Sequence, residues 1–291
     1  MKIPPDKNHL KIGELPDLKI IAAERLRFHE QPNRERSRRL VHRFRQEGIL
    51  KNPPIVARSA QCDDLVILDG ANRITALGQL GLPHLLIQMV DIDDALLELD
   101  CWYHAVEGYD RDFVLDKIRR IPKIEVFEDH SPGLGHNGTS DFAGDRTYLC
   151  SFTFRDGRTW SIRDPGRLDE QVHRLNAVTD FYIHRACSDR VSYTRLDHLR
   201  KHYPDFGVLV SFRRFKKDDF FQIVETGLRL PSGVTRVFLP KRALGMNAPL
   251  DLLKSPLSLE EKNRWLTEQI RKKVREKSIR FYREPTFVFD E

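Results

Sequence analysis

The chain has 291 residues, 40% hydrophobic and 32% charged, enough to bury one large core or two smaller ones. Its 49 basic and 43 acidic residues leave a formal charge of +6, a mild excess that suits anionic small molecules as well as nucleic acid. No run approaches the roughly 18 apolar residues of a membrane span, the N-terminus lacks the apolar stretch of a secretory leader, and Cys62, Cys101, Cys150 and Cys187 are scattered, so a cytoplasmic protein without disulfides or membrane contact is expected.

In chain order, Lys19 to Ala23 reads as a strand, followed by a loop through Arg27 to Pro32. His29-Glu30-Gln31 lies in that loop, and a carboxylate at the end of a strand can serve as a general base; a plain surface acid is the competing reading. A helix fits Asn33 to Glu47 and is closed by Gly48. Leu40, Val41 and Phe44 share one face of it, with the arginines of the 34–45 stretch around the rest. Such a face is expected to be solvated, a polyanion-binding surface being the alternative. Pro53-Pro54 precedes a second strand, Ile55-Val-Ala.

Val66-Ile-Leu-Asp69-Gly-Ala-Asn-Arg73 is the most informative run. An apolar strand stops at an acid and a glycine, and a helical pattern (Ile74, Leu77, Leu80) begins at once. That corner aims backbone N–H groups and the positive end of a helix at one point, a geometry that favours a phosphate. Asp69 could hold a metal ion beside such a phosphate. Gly81 and Pro83 end the helix, and Leu85 to Val90 is a further buried-strand candidate. Strands alternating with helices predict a mixed α/β architecture. Trp102, after the run ending at Cys101, is read either as core or as the wall of a ligand pocket.

Residues 129–145 are rich in Gly, Ser, Asn and Asp and read as a long loop. Within them Gly133-Leu-Gly-His-Asn-Gly138 has the G-x-G-x-x-G spacing, but no helical period follows it, so it is read as a loop and not as a nucleotide fingerprint. A hairpin is expected from Tyr148 to Phe154 and Thr159 to Ile162, turning at Asp156-Gly157. Leu168, Val172, Leu175 and Val178 mark a helix. Pro231-Ser-Gly is a tight turn that could present Thr235 and Arg236 to a carboxylate or phosphate ahead of a strand at Val237. Ser258 with Glu261 forms a capping-box pattern for a helix to about Lys277, and Ile279 to Tyr282 and Thr286 to Phe289 look strand-like.

From Glu24-Arg-Leu-Arg-Phe-His-Glu30 through Pro53-Pro-Ile-Val-Ala57 to Ile67-Leu-Asp-Gly-Ala-Asn-Arg-Ile-Thr-Ala-Leu77, the chain resembles the ParB/sulfiredoxin superfamily, and within it the free L-serine kinases. Gly233-Val-Thr-Arg236 and Ala248-Pro-Leu-Asp-Leu-Leu-Lys254 resemble the siderophore-pathway branch in particular. The resemblance runs from about residue 14 to the C-terminus and is weakest over 110–200. It implies a ParB/sulfiredoxin-like nucleotide-binding domain at 1–110, a C-terminal α+β substrate lobe at 111–291, and an active site in the cleft between them.

The activity so implied is phosphorylation of free L-serine to O-phospho-L-serine by ATP or ADP with Mg²⁺. The same resemblance makes Glu30 the base for the serine hydroxyl and Asp69 the essential acid of the phosphate loop, with Mg²⁺ as its ion. Gly70, Ala71, Asn72 and Arg73 would hold the nucleotide phosphates, while His29, Trp102, Thr235 and Arg236 would line the serine pocket, Arg236 as carboxylate fork. Relatives usually carry His at the position of Asn72; Asn can still cap the helix and donate to a phosphate, but takes no proton. Two other readings compete: a DNA-binding partition-type protein, weakened by the lack of a helix-turn-helix pattern, and a non-catalytic nucleotide or amino-acid sensor of the same fold.

Overall fold

The computed structural model describes residues 15–58, 64–130, 145–183 and 188–282. Its first part contains β1 (Asp17–Ala22), β2 (Leu26–Phe28), α1 (Arg34–Glu47), β3 (Ile49–Leu50), β4 (Ile55–Arg58), β5 (Leu65–Asp69), α2 (Ala71–Gln79) and β6 (His84–Val90). Five of these strands form a mixed sheet in the order β1-β6-β4-β5-β2. The ends of α1 are set locally: the Asn33 side chain accepts from Arg36 N at 2.9 Å, and Gly48 leaves the helix in the left-handed conformation at φ 66°.

The chain continues through β7 (Glu98–Cys101), β8 (Tyr103–Glu107), α3 (Arg111–Arg119), β9 (Glu125–Asp129), β10 (Tyr148–Phe154), β11 (Thr159–Arg163), α4 (Leu168–Ile183), β12 (Ser188–Val191), α5 (Leu196–His202), β13 (Phe206–Phe212), α6 (Lys217–Glu225) and β14 (Thr235–Phe238). Six of these strands make an antiparallel sheet, β12-β8-β13-β10-β11-β9, and β14 pairs with β7 as a separate ribbon. The expected hairpin is β10–β11, with Thr153 opposite Thr159. The chain then returns to the first sheet with β15 (Ala248–Pro249), α7 (Leu250–Lys254) and α8 (Leu259–Arg275). The Ser258–Glu261 capping box forms as its sequence pattern predicts.

Two cores share the first sheet. Leu65 and Ile67 point into one, together with α1, α2, Leu253 and Leu266, while Val66 and Leu68 point into the other, with β10, β13, α4 and α6. A sheet covered on both faces needs apolar residues at consecutive positions, which is why the run before Asp69 does not alternate. Neither core follows a single cut near residue 110: β7 and β8 join the second half, and 248–266 pack back onto the first. Lys262, 0% exposed, pins that return by donating to Leu253 O, Ser255 O and His84 Nδ1, each at 2.8 Å. Residues 279–282, expected as a strand, join no sheet, and Phe281 and Tyr282 remain exposed. Residues 133–138 and 286–289 lie outside the described part, as do Cys62 and Cys187. No helix among the described residues is long and apolar enough to cross a membrane.

Candidate active site

β2 and β5 run parallel, with Leu26 beside Leu65 and Phe28 beside Ile67. Parallel neighbours end at the same edge, so His29-Glu30 and Asp69-Gly70 emerge side by side, where ligands of α/β sheets gather. Each exit leads into a helix, α1 or α2, whose first-turn N–H groups have no partner within the helix. Asn72 ties the two helix starts together: its Oδ1 accepts from Asn33 N at 2.7 Å and from Ser37 Oγ at 3.4 Å. This corrects the expectation that Asn72 caps its own helix, since the N-cap of α2 is Gly70. Gly70 stands at φ 98°, and a Cβ there would lie 2.9 Å from Pro54 Cβ, so the corner requires glycine.

At this corner Asp69 Oδ2 accepts from Arg73 Nη2 at 3.2 Å and from Arg242 Nη1 at 2.5 Å. Burial alone would push the Asp69 pKa up, but the two guanidinium groups win and hold the carboxyl below its ordinary value. The Arg73 side chain is only 11% exposed and its Nη1 donates to Asn52 O at 2.8 Å. Its guanidinium therefore fixes Asp69 against the Asn52-Pro53 backbone, while its charge still adds to the field at the corner. Arg242 comes from a distant loop held by the buried Gln88: Gln88 Nε2 donates to Lys241 O at 2.7 Å and Gln88 Oε1 accepts from Ala243 N at 2.9 Å. The carboxamide grips the residues on either side of Arg242 and so aims it at Asp69.

Glu30 is fastened to the turn before β14. Its Oε1 accepts from Val234 N at 2.7 Å and Thr235 N at 3.0 Å, with the Thr235 hydroxyl oxygen 3.3 Å away. Burial pushes the Glu30 carboxyl above its usual value, and the opposing pull of Arg190 and the backbone amides does not cancel it. His29, 3% exposed, donates from Nδ1 to Ile67 O at 2.5 Å, so its Nε2 is the acceptor at 2.8 Å from the Thr235 hydroxyl. Burial lowers its pKa to about 4, keeping the ring neutral. His29, expected in the substrate pocket, instead braces Thr235 against β5 and packs on Phe220 with centroids 4.6 Å apart.

Thr235 and Arg236 are successive strand residues and point to opposite faces of β14. Thr235 turns toward His29 and Glu30, whereas the Arg236 guanidinium stacks on Trp102 at 4.2 Å and on Phe238 at 4.3 Å. The expected serine-pocket residues thus fall into two groups, His29 with Thr235 and Trp102 with Arg236. Arg242, Gln88, His104 and Arg190 were not foreseen from the sequence. Nothing local marks them, because each reaches the site from a remote part of the chain. His104 is buried, with Nε2 donating to Gly233 O at 2.8 Å and Nδ1 accepting from the Tyr182 hydroxyl at 3.0 Å.

Among the described residues no cluster of three or more His, Cys, Asp or Glu side chains could cage a metal. Mg²⁺ needs only one or two carboxylates when phosphate oxygens and waters complete its shell. Asp69, whose Oδ2 is held by both arginines, supplies one such carboxylate.

No family model matches the chain. It is 21% identical over 248 residues to the ATP-dependent L-serine kinase SbnI of Staphylococcus aureus, covering 85% of this chain and 88% of that protein. It is 29% identical over 89 residues to the ATP-dependent L-serine kinase of Staphylothermus marinus, 31% of this chain and 35% of that one. A solved free serine kinase in complex with AMP superposes with a TM-score of 0.64 at 19% identity, covering 82% of this chain and 94% of that one. Along most of its length the chain is thus similar in sequence to SbnI, and it shares the fold of the solved free serine kinase.

Proposed function

We propose that the protein is a nucleotide-dependent kinase that converts free L-serine to O-phospho-L-serine, with ATP or ADP as donor. The observation that carries this reading is the shared edge of β2 and β5, which delivers a carboxylate of raised proton affinity, Glu30, beside a glycine corner that opens α2. The names of the relatives agree with that chemistry.

In this reaction the serine oxygen attacks the terminal phosphorus, a new O–P bond forms, and the bond to the bridging oxygen breaks. The nucleotide leaves one phosphate shorter. The hydroxyl proton passes to the Glu30 carboxylate, which the Val234 and Thr235 amides hold by Oε1. Phosphoryl transfer depends chiefly on positioning and electrostatics. The first-turn amides of α2 face the phosphates, and the charges of Arg73 and Arg242 offset the negative charge that develops there. Mg²⁺, when bound at Asp69 and the phosphates, would neutralise further charge. A cytoplasmic location and a place in siderophore-type amino-acid metabolism belong to the same proposal. The competing nucleic-acid reading draws little from α1, where Arg38 and Arg39 pair with Glu35 and Arg43 pairs with Glu47.

The test is coupled nucleotide turnover with free L-serine and Mg²⁺, run beside Glu30→Ala and Asp69→Ala. Serine-dependent turnover that collapses in both variants is expected. Wild-type protein inert with both ATP and ADP would end the kinase reading, and undiminished phosphoserine in both variants would end the site assignment.

A further inference from the structure

One guanidinium acts on Glu30 without a hydrogen bond of its own among the described residues. The Arg190 side chain comes close to Gly233: a Cβ on that glycine would stand 2.6 Å from Arg190 Nε and 3.0 Å from its Cδ and Cζ. Gly233 is also at φ 77°, a backbone conformation that favours glycine, and without a Cβ it lets the arginine side chain come close. Arg190 in β12 sits directly across from His104 in β8, and opposed residues of an antiparallel pair share a face. His104 holds the carbonyl of the same glycine, and the next two amides hold Glu30. Arg190 is half-buried, and among the described residues it makes no hydrogen bond or ion pair. The other arginines here are committed, Arg73 and Arg242 to Asp69 and Arg236 to the Trp102 and Phe238 rings. Its charge acts on Glu30 through space, and a half-buried guanidinium whose N–H groups meet no acceptor among the described residues favours a further anion.

We propose that Arg190 is the fork for the α-carboxylate of the amino-acid substrate, a role the sequence had suggested for Arg236. The proposal rests on the kinase reading above. In L-serine the hydroxyl and the carboxylate are only two carbons apart, so the groups receiving them must be neighbours. Glu30, on the Val234 and Thr235 amides, and Arg190, against Gly233, meet that condition. The pocket then selects small hydroxy amino acids with a free carboxylate, and it rejects amino alcohols and serine esterified or joined in a peptide.

The test compares L-serine with L-serine methyl ester and ethanolamine in wild type, Arg190→Gln, Arg190→Lys and Arg236→Ala. In Arg190→Gln the KM for L-serine should rise about 10- to 100-fold, the span expected for a charge-assisted hydrogen bond. The KM for nucleotide should hold, the preference for serine over its ester should largely vanish, and Arg190→Lys should restore part of it. Calorimetric titration with L-serine reads the same anchor without turnover, so failure of the kinase reading is separable from failure of this one. Arg190→Lys carries the comparison if Arg190→Gln does not fold. Unchanged serine KM and ester discrimination in the Arg190 variants, or their loss in Arg236→Ala instead, would overturn the proposal. A rise confined to the nucleotide KM would overturn it as well.

Discussion

Gly70→Ala probes the corner on which the phosphate reading stands. At φ 98° an alanine occupies a left-handed conformation that costs about 1–2 kcal/mol. Its Cβ would also press on Pro54, at 2.9 Å from Cβ and 3.1 Å from Cα. Pro54 is buried between Pro53 and β4 and has no rotamer to yield, so overpacking adds about 1–3 kcal/mol. The total expected loss is about 2–5 kcal/mol. Gly81→Ala is the matched control, because Gly81 has φ 71° and open space around it, leaving only the conformational cost. Urea unfolding at constant m-value measures both, and calorimetric titration with nucleotide under conditions where Gly70→Ala stays folded measures the corner itself. The larger stability loss should be accompanied by weakened nucleotide binding in Gly70→Ala alone. Equal losses in the two variants would refute the steric reasoning, and full nucleotide affinity in Gly70→Ala would remove the corner from the phosphate site.

Other expectations follow from buried groups. His29 and His104 are neutral in the fold, with pKa values lowered to about 4, while an unfolded chain takes up protons from about pH 6.5. Stability is therefore flat above that pH and falls on acidification toward pH 4, each histidine contributing roughly 3 kcal/mol when its window is crossed. Glu30, shifted upward, acts in the opposite sense at the acid end. Urea midpoints from pH 8 to 5 check the sign, which a rising stability would contradict. Glu30→Gln keeps an oxygen for the Val234 and Thr235 amides but no base, so kcat should fall about 10²- to 10⁴-fold with the melting temperature little changed; a kcat within a factor of a few of wild type counts against Glu30 as base. Lys262→Met leaves the Leu253 and Ser255 carbonyls without their buried donor, an expected loss of about 1–3 kcal/mol. Hydrogen exchange should show α8 loosening first, and unaltered protection there would mean that Lys262 does not pin the helix.

What the sequence by itself determined was local. Asn33 and Gly48 bound α1, Ser258 and Glu261 start α8, Asp156-Gly157 turns a hairpin, and the apolar run ending at Asp69-Gly70 becomes a strand that breaks into a helix. Each depends on partners within a few residues, so side-chain type and spacing suffice. The segment from 98 to 238 was harder to read, since the antiparallel order β12-β8-β13-β10-β11-β9 joins strands distant in sequence. Only the tertiary structure seated Glu30 on amides 204 and 205 residues away and brought Arg242 to Asp69 across 173. It also turned Arg236 from Thr235 onto Trp102 and laid Arg190 against Gly233 beside Glu30. Strand alternation, close backbone approach and burial decide these placements, and all three depend on which distant elements meet.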